Sequence, residues 1–468
     1  MHKLLLREHY DFLLASQHPP ASPALRQMAS KHDMPGRLWY YGIYSLLELL
    51  RKRLPHSRQH IIIFIYLAYT MISHLYEDVA VGFKDIWAEH LGDLARYRMG
   101  IEVFDIRVKI HWMSMCRNWY SKASNGEPNT GRLYHRLATM AQENPSQQLY
   151  YYTKSLCVAS PFPSTRQSIM TLFDQHSRLS PIDRAFVKAH SILFSKKFSD
   201  DFSSTVDEFC ANLDNHIART ARKWMESGYY IAISNCCGIL FYSQEDNVIL
   251  KEICPQRYTP SRIEEGAHRL FIGTCSVVFR RISDFNILPF LHVVMVFIFH
   301  FTHHLSARSF IENIIPWKLL SLQLNSHLRS RRSYCQIEDE KFPRQSPRPL
   351  PEDFAVRGLG WDEKYFPVDW FPDDVDDDEK YSEVASMTNH RKERILWLGV
   401  RIAMRRKCPV TYNEKLHEFG VVPEYEEAAD IVTDGSQLAR PIENIALKMG
   451  DGNTVNADVA LTLKLVIR

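Results

Sequence analysis

The sequence lacks the local signatures on which most enzyme assignments rest. No glycine-rich phosphate loop, nucleophile elbow or HExxH pair occurs in a usable context. Its nine cysteines show no CxxC spacing, which argues against a zinc site and gives no disulfide framework. Reduced thiols in a cytoplasmic or nuclear protein fit that pattern. Charge is nearly balanced: the formal net charge is +3 and the isoelectric point about 8.3, too mild a bias to argue for nucleic acid without local patches. Glycine-containing two-residue turns between alternating strands are few, so a β-sheet has little support. The start, MHKLLLREHYDFLLAS, sets only a short apolar run before Arg7, Glu8, His9 and Asp11, which is wrong for a secretory signal and reads as an amphipathic helix.

Long apolar runs are also scarce. Residues 61–76 (IIIFIYLAYTMISHLY) are apolar almost all round, which predicts a buried helix. The run is shorter than the ~20 residues needed to cross a bilayer. The run 287–301 (ILPFLHVVMVFIFHF) is broken by Pro289, His292 and His300 and reads as a core helix, so no membrane partner is expected.

What is present is helical periodicity, and 45% apolar residues over 468 positions allow two or three sizeable cores. Residues 37–54 (RLWYYGIYSLLELLRKRL) predict a helix with Pro35 near its start, after a loop at 17–23 (QHPPASP). Residues 131–141 and about 147–159 predict a helix pair that stops at Pro161-Phe162-Pro163, and Pro128 and Pro161 are separated by nearly the ~34-residue tetratricopeptide period. Segments 182–196, 203–228, 229–242 and 262–280 continue the i, i+3/i+4 pattern. Residues 329–349 read as a charged, proline-rich loop, 372–379 as a solvated acidic loop rather than a cation site, and 390–407 as a helix with a basic flank. Residues 405–468 form a tail of unassigned structure.

Several blocks, in order, resemble the EST/SMG family of telomerase-recruitment proteins and nonsense-mediated-decay adaptors in its filamentous-fungal form. They are residues 9–55, LGDLARYR (91–98), GRLYHRLATMA (131–141), LYYYTKSL (149–156), PFPSTRQSIMTLF (161–173), LPEDFAVRGLGWDEKYFP (350–367) and RKERILWLGVRIA (391–403). The resemblance implies an all-α chain: a 14-3-3-like tetratricopeptide helical array at 1–178, with further helix upstream in relatives, then a helical-hairpin DNA/RNA-binding domain at 179–404. Some members add a C-terminal nuclease; too little chain follows residue 404 for one, so a non-enzyme without cofactor is expected.

The resemblance also implies sites. In 14-3-3-like members a phosphorylated side chain is held by basic residues of one helix and an Arg-Tyr pair of another, and Arg96-Tyr97 supply that pair here. A guanidinium grips two phosphate oxygens and a phenol donates a further bond. Aligning LWYYGIY puts Tyr44 where relatives carry lysine; Arg51, two helical turns on and near the same face, is the replacement cation. The alternative for Arg96 is a helix-locking pair with Asp93 or Glu89. A nucleic-acid surface would draw on Arg280, Arg281, Arg401, Arg405 and Arg406, with Arg329, Arg331, Arg332 and Lys407 nearby. The expected partner is the phosphorylated helicase of nonsense-mediated decay, in nucleus and cytoplasm. Single-stranded RNA, telomeric DNA and telomerase RNA follow from a telomere role. A scaffold with a degenerate phosphate pocket is the third reading.

Overall fold

The computed structural model describes residues 2–78, 81–197, 201–243, 262–303, 311–329, 335–343, 348–362, 365–372, 380–405 and 408–425. Packing groups them into two compact units, one within Met1–Pro128 and one within Asn129–Pro372 and Lys380–Arg468; the boundary expected near residue 178 falls inside the second. The chain is all-α, a 14-3-3-like tetratricopeptide array followed by helical hairpins, with one two-stranded hairpin among the described residues.

The first unit comprises α1 (His2–Gln17), α2 (Pro23–Lys31), α3 (Met34–Arg37), a π-helical segment (Leu38–Tyr44), α4 (Ser45–Arg51), α5 (Arg58–Asp78), α6 (Lys84–Gly100) and α7 (Ile106–Gly126). Two prolines after Gln17 end α1, and Ser22 caps the next helix by accepting from the Leu25 amide, with Pro23 in its first turn. Leu6, Leu13, Leu38, Ile43, Leu47, Ile65, Leu91 and Leu94 form the core.

The expected continuous helix over 37–54 is interrupted. The Ser45 amide bonds to the Tyr40 carbonyl, five residues back, and the Ser45 hydroxyl donates to the same oxygen at 2.7 Å. This wider turn leaves Tyr40, Tyr41 and Tyr44 exposed while Leu38 and Ile43 stay buried. The helix beyond it ends at Arg51, not Leu54.

α5 also departs from expectation. Ile61, Phe64, Ile65, Ala68 and Ile72 are buried, but Ile63, Tyr66 and Leu67 face outward, Ile63 with 59% of its surface exposed. A helix apolar all round is covered only as far as neighbours reach, and here α4 and α6 pack against one side.

The second unit opens with α8 (Gly131–Met140) and α9 (Pro145–Cys157), then α10 (Thr165–Asp174), α11 (Pro181–Ser195), α12 (Asp201–Thr220), α13 (Trp224–Ile239), α14 (Arg262–Phe279) and α15 (Leu288–Thr302). It continues through α16 (Trp317–Leu328), α17 (Cys335–Glu338), α18 (Pro351–Val356) and α19 (Met387–Ala403), and ends in strands β1 (Val410–Asn413) and β2 (Glu418–Val421). Pro145, Pro181, Pro289 and Pro351 each lie in a first turn, where a missing amide costs nothing. Gly131 lets α8 approach α9 closely: an added Cβ would stand 2.3 Å from the Ser155 carbonyl oxygen and 2.7 Å from the Phe162 nitrogen.

The break expected between 228 and 229 lies earlier. Ala221 adopts a left-handed φ of 47°, α12 stops at Thr220, and α13 starts at Trp224. Gly228 sits inside α13, with the Trp224 ring in the space a Cβ would take. α15 is the core helix that the 287–301 run predicted: every residue of Leu288–Thr302 is buried. By length and composition Phe285–Thr302 could cross a membrane, and 89% of it is inside the unit.

Beyond the expected helices, β1 and β2 pair antiparallel with Val410 opposite Val421. Asn325 fastens the hairpin to α16, donating to the Phe419 carbonyl and accepting from its amide, each at 2.8 Å. The alternation in Val410-Thr411-Tyr412 was the signal for it. Residues 330–334, 344–347, 373–379 and 426–468 lie outside the described residues.

Buried charge organises this unit. Glu352 accepts from His292 Nδ1 at 2.9 Å and from Arg391 Nε and a terminal nitrogen at 2.6 and 3.0 Å; Arg391 also reaches Glu383. Asp353 accepts from Arg394, from the Leu350 amide at 2.9 Å and from Trp370 Nε1 at 3.2 Å. On α9, fully buried Lys154 donates to the carbonyls of Phe354 and Ala355 at 3.2 and 2.8 Å, and Tyr150 to that of Ala355 at 3.1 Å. The blocks around 149–156, 350–367 and 391–403 therefore meet at α18.

Burial pushes the Glu352 carboxyl up, but the charge and hydrogen bonds of Arg391 and His292 outweigh it and hold it well below the usual carboxylate range. A depressed folded pKa gives stability that is present above the unfolded value, near 4.5, and lost as pH falls through the folded one. Glu352→Gln, which leaves Arg391 without its main counter-charge, should lower the unfolding free energy at pH 7 by about 3–5 kcal/mol in urea titrations. The gap to wild type should narrow below pH 4. An unchanged urea midpoint would refute the role given to this pair.

Candidate functional site

The candidate site belongs to the first unit and begins with a close helix crossing. α6 and α7 meet at Gly92, where an added Cβ would lie 2.6 Å from the Tyr120 ring. That approach lets the Tyr120 hydroxyl donate to Asp93 Oδ1 at 2.7 Å. Arg96, one turn on, pairs with the same oxygen at 3.4 Å, and its guanidinium lies 5.2 Å from the Tyr97 ring centre. About a third of the Arg96 side chain remains exposed (36%).

Tyr97 points the other way along the helix surface, toward α4. Its hydroxyl donates to Glu48 Oε1 at 2.6 Å. Arg51, on α4, holds both oxygens of that carboxylate, with Nε at 3.1 and 3.2 Å and a terminal nitrogen at 2.8 Å. The structure thus brings Arg51 and Tyr97 onto one anion and lays Arg96 against the tyrosine ring. Glu48 was absent from the sequence reading, although its i, i+3 spacing to Arg51 in ELLR was a visible signal.

The charges fit this arrangement. The hydrogen bond from Arg51, then that from Tyr97, holds the Glu48 carboxyl below its usual range. Burial and the Glu48 carboxylate push the Tyr97 phenol well up, so it acts as a donor at neutral pH. Arg98, the second arginine of ARYR, is buried and pairs with Glu102 at 2.9 Å, which Arg58 also reaches at 3.1 Å. It is a structural tie. Tyr44 is exposed, as are Tyr40 and Tyr41 on the π-helical segment that leads into α4.

The described residues among those considered for nucleic acid lie in the second unit and are not drawn into one groove. Arg281 is engaged by Asp214 at 2.6 Å and Asp284 at 2.8 Å. Arg401 donates to the Glu338 carbonyl at 2.6 Å, and Arg405 contacts His303. Arg406 lies outside the described residues, as do Arg331, Arg332 and Lys407. Lys392 near the start of α19 stands 4.4 Å from the Phe285 ring centre, whereas Arg405 follows the other end of that helix, so the two clusters are ~20 Å apart. Arg280 is exposed. A cavity of about 590 Å³ in the same unit is lined in part by Arg391, Glu352 and Glu383, which pair with one another. Among the described residues no group of three or more His, Cys, Asp or Glu side chains is placed to hold a metal.

The fold defines a class, a helical array of the 14-3-3-like and tetratricopeptide type continued by helical hairpins. Comparison with known proteins narrows it. The family described as Est1 DNA/RNA binding domain matches residues 116–361. The chain belongs to the EST/SMG family. It is 25% identical over 180 residues to EST/SMG-like protein 2 of Saccharomyces cerevisiae, covering 38% of this chain and 14% of that protein. It is 33% identical over 89 residues to telomerase-binding protein EST1A of Danio rerio, covering 19% and 5%. It is 32% identical over 89 residues to nonsense-mediated mRNA decay factor SMG7 of Arabidopsis thaliana, covering 19% and 8%. The aligned stretches thus span a small part of each relative. A chain in the crystal structure of Est1 and Cdc13 superposes with a TM-score of 0.58 at 10% identity, covering 89% of this chain and 99% of that one, a likeness of fold.

The close α6–α7 crossing is open to test. Gly92→Ala should force the Tyr120 ring aside, loosen its bond to Asp93, and cost about 1–3 kcal/mol of stability in denaturant unfolding. Gly100→Ala, where a Cβ meets nothing within 4 Å, is the control expected to leave stability nearly unchanged.

Proposed function

We propose that the chain is a non-enzymatic adaptor that grips a phosphorylated side chain of a partner protein at Arg51, Tyr97 and Arg96. It couples that partner, the helicase of nonsense-mediated decay, to RNA turnover. The observation that carries this reading is that two of the three donors already hold an anion together, the Glu48 carboxylate. A guanidinium fork and a phenol that grip a carboxylate offer the same donors to a phosphate. The likeness to a relative named as a nonsense-mediated mRNA decay factor supports the pathway.

Fluorescence anisotropy with helicase peptides, phosphorylated and not, tests the reading. The phosphorylated form should bind more tightly, and Arg51→Glu should weaken it roughly 10- to 100-fold with little change in melting temperature; Arg96→Gln, chosen because a glutamate there would face the buried Asp93, should weaken it as well. Equal binding with and without phosphate would sink it.

A second reading, single-stranded nucleic-acid binding in a telomerase or telomere setting, is favoured by the family description and by the relative named as telomerase-binding. The observation behind it is an exposed ring beside cations: Phe285, 52% exposed, under the Lys392 ammonium, with exposed Arg280 five residues away in sequence. Stacking rings with cations suit unpaired bases. Phe285→Ala with Lys392→Ala should weaken binding of single-stranded RNA or G-rich DNA, and affinity should fall steeply with salt. Salt-independent binding unaffected by these changes would place the nucleic acid elsewhere.

A further inference from the structure

Glu48 stands where an incoming anion would have to go. Its carboxylate takes the Arg51 fork at 2.8–3.2 Å and the Tyr97 hydroxyl at 2.6 Å, so the donors that face the site are already committed. The carboxylate is not sealed in. The Glu48 side chain keeps 21% of its surface and Arg51 keeps 55%, so a ligand can reach the guanidinium from solvent and Glu48 can swing outward.

We infer that Glu48 is an intramolecular competitor that makes this site selective for phosphate over carboxylate; the inference rests on the phosphate-binding role given to Arg51, Tyr97 and Arg96. An aspartate or glutamate of a partner brings the same charge and the same pair of acceptor oxygens as Glu48. Exchanging one for the other makes no better bond, yet the partner also loses translational and rotational freedom that the tethered Glu48 does not. The tether gives Glu48 a high effective concentration at the donors. The internal carboxylate therefore wins against an acidic side chain.

A phosphorylated serine or threonine differs in two respects. It carries a charge of about −1.5 to −2 near neutral pH, and it has three acceptor oxygens. Two oxygens can replace the Glu48 carboxylate on Arg51 and Tyr97, and the third can add to Arg96 beside the tyrosine ring, which Asp93 holds only at 3.4 Å and which keeps 36% of its side-chain surface open to a ligand. Only such a ligand makes more bonds than it displaces. Acidic substitutions in a partner, which often imitate phosphorylation elsewhere, fail here.

The test uses the full chain and three fluorescent degenerate peptide pools with phosphoserine, glutamate or serine fixed at the centre, read by anisotropy. Wild type should bind the phosphoserine pool and neither of the others. Glu48→Gln, which keeps the shape and an acceptor for Tyr97 but removes the charge, should tighten phosphoserine binding by roughly tenfold and admit the glutamate pool. Glu48→Ala should do the same, and melting temperatures should show that both variants fold. If wild type binds the glutamate pool as well as the phosphoserine pool, or if both variants bind phosphoserine no better than wild type, the inference is overturned while the phosphate reading stands. If no protein binds the phosphoserine pool, the phosphate reading falls and the inference falls with it.

Discussion

Two adjacent carboxylates, Glu352 and Asp353, sit buried at the start of a six-residue helix, and the second unit depends on their neutralisation. Carboxylates so placed are tolerated only when paired and hydrogen-bonded. The partners come from distant parts of the chain: His292 from the buried apolar helix, and Arg391 and Arg394 from the helix over Met387–Ala403. The carbonyls at the other end of the short helix are taken by Lys154 and Tyr150 of the Pro145–Cys157 helix. One turn and a half of helix is thereby tied to three long ones. An apolar cluster of this size could pack in several registers; an arginine fork on a carboxylate admits few.

The same principle, an internal anion fixing internal cations, shapes the first unit at smaller scale. Asp93 collects Tyr120 and Arg96, and Glu48 collects Tyr97 and Arg51. The difference is exposure. Asp93 is buried and its bonds serve packing, whereas Glu48 and Arg51 lie at the surface, where screening makes an ion pair weak and replaceable. A weak ion pair at an accessible position is open to exchange.

Much of the fold was legible because its signals are local. Pro35 lies in the first turn of Met34–Arg37, near the start expected for that stretch, the Pro145–Cys157 helix ends ahead of the Pro161–Pro163 stop, and the histidines in the 287–301 run suited a protein core: His292 is consumed by Glu352 and Tyr365. The π-helical turn was not legible, since LWYYGIY fits an ordinary helix until a hydrogen bond shifts by one residue. Nor was the α12–α13 break at Ala221, where no residue with a turn preference stands. The hairpin at 410–421 is too short for its alternation to outweigh a helical background.

The sequence by itself determined the helical class, the family and the pairing of arginine with tyrosine at 96 and 97, because periodicity, proline placement and ordered blocks are carried by the residues themselves. Only the tertiary structure decided which cations remain available. Arg98, Arg391 and Arg394 look alike in sequence to Arg51 and Arg96, and all five are drawn to a carboxylate, but the first three are buried with their partners whereas Arg51 keeps 55% and Arg96 36% of its side-chain surface. A charge's role depends on what its neighbours are in space and on how much water reaches it. Neither quantity exists until the helices have packed.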